Sequence, residues 1–192
     1  MSFDTRVTLL EKLKRVDNDE AWSDFYSHYS SYISAVIYNW NINPSEVDDL
    51  VQKVMMISWE KIKEFEYDKS RGLFRSWLIR IARNTVMNFM KTSKRYDDKL
   101  KNFSDEQLAK ANEQSDIVEK EWRVHISKLA WKSIRGNYDE NAQNAFDLIT
   151  QGRSNKEVAE ALDLKQNTVA VYKKRITEAL RSEIRRLDSF LA

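Results

Sequence analysis

Cysteine is absent from this 192-residue chain, proline occurs once and glycine three times. Without cysteine there is neither a disulfide framework nor a thiolate zinc site, which fits a reducing interior. So little glycine and proline argues against a turn-rich sandwich or barrel, whose corners need unusual backbone angles. No run approaches the roughly 18 apolar residues of a membrane span, and the opening MSFDTRVTLLEKLKR lacks the pattern of a secretory leader. A cytoplasmic protein without membrane insertion is expected. Histidine occurs only at His28 and His125, far apart and without metal-ligand spacing, so each reads as a packing or surface residue. There is no phosphate-cradling glycine loop, no cysteine nucleophile and no sign of a Ser/His/Asp triad. No metal, cofactor or enzymatic activity is expected.

Charge and aromatic side chains are plentiful: 32% of residues are charged, 42% are hydrophobic and six are tryptophan. With so few helix breakers, this composition predicts an all-α protein. The totals, 32 basic against 30 acidic side chains, conceal a pattern along the chain. Residues 61–95 hold ten basic and three acidic side chains, and residues 153–186 hold nine and five. Residues 1–60 and 96–121 are acidic. Two basic blocks kept apart by an acidic stretch suit two surfaces for a polyanion, although solvated helix faces could produce either block alone.

Periodicity places the helices. Thr8 and Glu11 form a capping box ahead of Leu9, Leu10, Leu13 and Val16, and the run Asp17-Asn18-Asp19 offers the next N-cap. Trp22, Phe25, Tyr29, Ile33, Val36, Ile37 and Trp40 then recur at three- and four-residue steps, the spacing of one buried helical face. Asn43-Pro44-Ser45-Glu46 supplies an N-cap, a proline at the first helical position and an acid at the third. Val47, Leu50, Val51, Val54, Ile57 and Ile62 form the stripe that follows. A further helix from about Phe74 to Lys94 buries Leu78, Ile81 and Ala82, with Val86 and Phe89 as further candidates.

Residues 96–116 are polar and weakly patterned, which predicts a linker with some fraying helix. Apolar spacing resumes at Val118, Trp122, Ile126 and Leu129, continues through Ala142, Ala145, Phe146 and Ile149, and stops at Gly152, a candidate C′ residue. The expected organisation is two small helical domains, residues 1–95 and 118–192, joined by a flexible acidic linker at 96–117. Trp22, Trp40, Trp59, Trp122 and Trp131 read as core or half-buried supports.

The C-terminal part carries the most specific local pattern. Ser154-x-x-Glu157 is a second capping box. It opens a helix whose small Ala159 permits close helix approach, Leu162 and Leu164 bracket a tight turn, and Val169 pins a second helix to the first. Asp163 stands where glycine is favoured and can adopt the left-handed conformation at modest cost, while Lys165 replaces a capping Ser or Thr. The second helix would present Lys165, Gln166, Asn167, Thr168, Lys173, Lys174 and Arg175 outward. Short polar groups would then reach base edges, and the cations would hold phosphates.

The first basic block alternates aromatics with cations from Phe65 through Asn84. Aromatic faces stack on unpaired bases and Arg or Lys neutralises the backbone, so this mixture suits single-stranded DNA. Phe74 and Trp77 read better as core. Tyr67, Lys69, Ser70 and Arg71, in a polar loop, have less packing reason to be together.

Asp48-Asp49-Leu50-Val51-Gln52-Lys53-Val54, followed by Phe74-Arg75-Ser76-Trp77-Leu78-Ile79-Arg80-Ile81-Ala82-Arg83-Asn84, resembles the second conserved region of bacterial sigma factors. The helix-turn-helix resembles their fourth region. Taken together, the chain resembles the small extracytoplasmic-function type of the sigma-70 family over residues 20–95 and 118–186. Lys53 and the pair Met55-Met56 depart from the usual pattern. The resemblance implies that Asp48, Asp49, Leu50, Gln52 and Met56 dock on the coiled coil of the largest subunit of core RNA polymerase, with the flap as a further contact. It implies that Tyr67, Lys69, Ser70 and Arg71 capture a flipped base of the −10 element while Arg75, Arg80 and Arg83 meet nearby phosphates. Lys165 through Arg175 would read the −35 element of promoter DNA, and an anti-sigma factor is a further candidate partner. The alternative is a helix-turn-helix regulator that binds operators without stable polymerase binding, which leaves the Asp48–Gln52 stripe without a purpose.

Overall fold

The structure, a computed structural model, describes residues 13–14, 19–65, 73–93 and 111–191, with only the backbone described at 111–115 and 190. The expected capping box at Thr8 and Glu11, the N-cap positions Asp17 and Asn18, and the linker as far as residue 110 lie outside the described residues. Helices α1 (Asp19–Asn39), α2 (Pro44–Ile62), α3 (Phe74–Thr92), α4 (Ala111–Ile134), α5 (Glu140–Thr150), α6 (Asn155–Ala161) and α7 (Gln166–Leu191) follow one another, with a 3₁₀ turn at Arg135–Asn137 and no strand among the described residues. The fold is all-α. Contacts divide the chain into two units, residues 1–125 with 190–192 and residues 126–189.

In the first unit α1 packs on α2 and α3, which also pack on each other. The predicted stripe of α1 is the buried one: Phe25, Ile33, Val36 and Ile37 are wholly inaccessible, and Tyr32 joins them. Asn41, at φ 58°, turns the chain out of α1 in the left-handed region that asparagine tolerates better than most residues. Asn43 then caps α2 as predicted, its side-chain oxygen accepting from the Ser45 N–H at 3.2 Å, and Pro44 opens the helix. Val47, Leu50, Val51, Val54 and Ile62 face the core, while Ile57 is half-buried. Leu78, Ala82 and Val86 of α3 complete it. Truncating a side chain buried like Leu78 to alanine would cost about 2–5 kcal/mol.

Residues 111–117, expected as linker, are the first turns of α4. The division into units falls at His125, inside α4, rather than at residue 118. The reason is aromatic packing. Trp122 meets Tyr32 edge-on at 5.1 Å, and the buried His125 donates from Nε2 to the His28 carbonyl at 2.7 Å. That tautomer leaves Nδ1 to accept from the Ser31 hydroxyl at 3.3 Å. His125 is therefore a packing residue, while the half-buried His28 lends its backbone carbonyl.

In the second unit the three helices α5, α6 and α7 share a small core of Ala145, Val158, Ala159 and Val169, flanked by Leu148, Ile149, Leu162, Leu164 and Tyr172. Gly152, at φ 91°, is the C′ residue of α5, and the Arg153 N–H reaches the Leu148 carbonyl at 3.3 Å to close it. Arg135 and Trp131 both bond the Asp147 carboxylate, tying α4 and the turn after it to α5.

Candidate nucleic-acid interface

In the second unit the helix-turn-helix is built as the spacing requires. Ser154 and Glu157 form a reciprocal capping box: the Ser154 N–H donates to the Glu157 carboxylate at 2.8 Å, and the Glu157 N–H donates to the Ser154 hydroxyl at 3.3 Å. Hydrogen bonds from the Ser154 hydroxyl and backbone hold the Glu157 carboxyl below the usual carboxylate range. At the other end of α6, Asp163 takes φ 53°, and the Leu164 N–H returns to the Ala159 carbonyl at 2.9 Å. This six-to-one closure leaves Asp163 in the position where a glycine is more usual and Leu164 packed against the core that includes Ala159. The turn therefore survives without glycine because aspartate accepts the left-handed region.

Helix α7 begins at Gln166, with the Lys165 carbonyl accepting from Thr168 and Val169 in place of a side-chain cap. Val169 and Ile176 are fully buried and Tyr172 is half-buried, which fixes the inner face. Lys165, Gln166, Asn167, Lys173, Lys174 and Arg175 are exposed, and Thr168 is half-buried. Two exposed residues described on this helix are apolar, Ala170 and the larger Val171, which is 46% accessible. Sequence reading passed over it, because an apolar residue next to a core position is naturally assigned to the core. Its place four residues after Asn167 and three before Lys174 was the available signal.

In the first unit, α2 presents Asp48, Asp49, Gln52, Lys53 and Met56 to solvent, Met56 at 63%. Asp49, Gln52 and Met56 form one stripe, offset from the core. Leu50 does not belong to it. At 1% accessible it is a core residue, so its expected contact with polymerase is corrected to packing. Beside Met56, between α2 and α3, runs a groove of about 800 Å³ lined by Lys53, Ile57, Asn84, Asn88 and Phe89.

The loop residues Tyr67, Lys69, Ser70 and Arg71 lie outside the described residues. Their flanks are ordered by aromatic packing: Phe65 lies 5.4 Å from Phe74 and 4.7 Å from Trp77. Phe74 is buried, as its core reading requires, whereas Trp77, also read as core, is only half-buried. Arg80 is exposed and Arg83 half-buried, one helical turn apart on α3. Arg75 departs from expectation. Its side chain is 14% accessible, donates to the Glu119 carboxylate at 2.9 Å and lies over the Trp122 ring at 5.0 Å. Its contact with DNA phosphate is therefore replaced by an internal brace. Burial pushes the neighbouring Tyr32 phenol above its ordinary range, with the Arg75 charge acting in the opposite sense, so Tyr32 remains a neutral donor.

Residues 25–96, which take in most of α1 and all of α2 and α3, match the family described as Sigma-70 region 2. Over these residues the chain is similar to region 2 of the sigma-70 family. Residues 143–185, from α5 through most of α7, match a second family, bacterial regulatory proteins of the luxR family. Among solved structures, CnrH in complex with the cytosolic domain of CnrY is 19% identical, with a TM-score of 0.40, covering 93% of this chain and 96% of that one. No curated protein matches the chain. The region 2 match thus contains both the exposed acidic stripe of α2 and the aromatic-basic segment, and the second match contains the helix-turn-helix. Among the described residues no helix is long and apolar enough to cross a membrane, and no cluster of His, Cys, Asp or Glu could hold a metal.

Proposed function

We propose that the chain is a two-domain sigma factor of the extracytoplasmic-function type that works in the cytoplasm, binds core RNA polymerase and directs promoter-specific initiation. The observation that carries this reading is the presence, in one chain, of a sigma-70 region 2 and a helix-turn-helix with a polar, cationic outer face. Residues 97–142 leave no room between the two matches for a further domain, which supports the small type.

Asp48, Asp49, Gln52 and Met56 dock on the polymerase coiled coil, an acidic and partly apolar stripe meeting a basic helical partner. Tyr67, Lys69, Ser70 and Arg71 capture an unstacked −10 base, with Arg80 and Arg83 on adjacent phosphates. Lys165, Gln166, Asn167, Thr168, Lys173, Lys174 and Arg175 read the −35 element from the major groove. Each unstacked step costs about 1.4 kcal/mol, so a protein of this size traps bases that open rather than forcing strands apart. Two modest contacts gain effective concentration when polymerase holds them on one DNA.

Run-off transcription with purified core polymerase on a promoter library tests this directly. Transcripts from a defined promoter class, and specific binding that tightens sharply when core is added, are the expected results. Equal specific affinity with and without core would overturn the reading. It would favour instead an operator-binding regulator, which the luxR-type match alone would also fit. Alanine at Lys173 and Lys174 should weaken binding and lower the slope of log K against log salt by about 1 for each phosphate left without its cation.

A further inference from the structure

The polar face of α7 is interrupted at its centre. Taking Val169, Tyr172 and Ile176 as the inner side, helical geometry puts Asn167, Val171 and Lys174 diametrically outward, with the exposed Ala170 beside them. Every other exposed position from Lys165 to Arg175 is polar or charged. Val171 lies outside the small core of this unit and is 46% accessible, and the stiffness of its β-branched side chain lowers helix propensity. Folding therefore gives no account of a valine at 171.

Its surroundings do. The flanking cations Lys173, Lys174 and Arg175 suit phosphates on either side of a groove, and Asn167 has the donor–acceptor pair that fits the N6/N7 edge of adenine. The one apolar group displayed in the major groove by an unmodified base pair is the C5-methyl of thymine. We propose that Val171, assisted by Ala170, reads a thymine methyl in the −35 element, and that this methyl is a specificity determinant for the chain. The inference rests on α7 being the −35 reader.

The test uses the complex of core polymerase with the full chain. A promoter selected by that complex from a randomised library is resynthesised with each thymine of the upstream element replaced singly by deoxyuridine, which removes only the methyl. For the wild-type protein, one replacement should weaken binding about fourfold, the effect of taking one methyl group out of an apolar contact. Val171→Ala, on an exposed helical surface where alanine is a better helix former, should bind the thymine promoter about fourfold less tightly and be indifferent to that replacement. Val124→Ala, an exposed valine elsewhere at 40% accessible, should retain full wild-type sensitivity. Deoxyuridine tolerated at every position by the wild type, or an equal loss in Val171→Ala, would overturn the proposal. So would a selected upstream element free of A·T pairs. If base-pair transversions across the upstream element also leave binding unchanged, the −35 reading of α7 falls with it. Sensitivity to transversions but not to deoxyuridine removes the Val171 assignment alone.

Discussion

Arg75 offers the sharpest test of how the first unit is held together. The guanidinium reaches Glu119, 44 positions further along the sequence, and sits on Trp122, so its removal strips an ion pair and a cation–π contact at once. A charge-assisted hydrogen bond contributes about 1.5–3 kcal/mol when well shielded. Here Glu119 is 41% accessible and shared with Arg123 at 3.3 Å, so screening brings the pair down to about 1 kcal/mol. The contact with Trp122 adds about 0.5–1 kcal/mol. Arg75→Ala should therefore destabilise by about 2 kcal/mol, Glu119→Ala by about 1, and the double variant by about 1 less than their sum. Urea unfolding followed by tryptophan fluorescence measures all three. Additivity within about 0.3 kcal/mol would mean that the pair is not coupled and the brace does not exist. DNA binding gives an independent check. If Arg75 is a brace, its replacement leaves the salt slope of promoter binding unchanged, whereas a phosphate ligand would lower it by about 1.

Three further outcomes are expected. Asp163→Ala should cost about 1 kcal/mol because alanine lacks aspartate's tolerance of φ 53°, while Asp163→Gly should match or exceed wild type in thermal unfolding; equal losses in both would refute the turn argument. Lys165→Ser should stabilise the second unit by about 0.5–1 kcal/mol by supplying the absent cap of α7, yet weaken DNA binding if Lys165 contacts DNA. Hydrogen bonds from Arg186 first, and from Ser133, hold the Glu183 carboxyl below its ordinary range. A depressed folded-state pKa stabilises above the unfolded value and loses that contribution as pH falls through the folded one. The stability difference between wild type and Glu183→Gln should thus be full near pH 7 and shrink below about pH 4. A difference independent of pH would assign Glu183 a purely packing role.

What was legible in the sequence was local. The cap at Asn43, the reciprocal pair Ser154 and Glu157, the left-handed Gly152 and Asp163, and the inner stripes of α1 and α2 each depend on residues within a turn or two, where spacing determines geometry. What could not be read was long-range. Nothing within several residues of Arg75 indicates that a carboxylate and an indole from α4 will claim it, and three arginines on one helix look alike until tertiary packing distinguishes them. Leu50 carried two readings at once, core stripe and docking surface, and only the direction of its side chain separates them. Val171 was invisible for a different reason: hydrophobicity in a sequence points inward by default, and an outward apolar residue is recognised only when the inner face is already occupied.

The short helix α6 is locked at both ends, by reciprocal side-chain bonds at Ser154 and by the backbone return at Leu164. A rod clamped in this way sets the distance between its neighbours before any ligand arrives. Engagement of duplex by this unit should then resemble docking of rigid bodies. Calorimetry would record a heat-capacity change no larger than the contact area demands, without the surplus that accompanies folding on arrival.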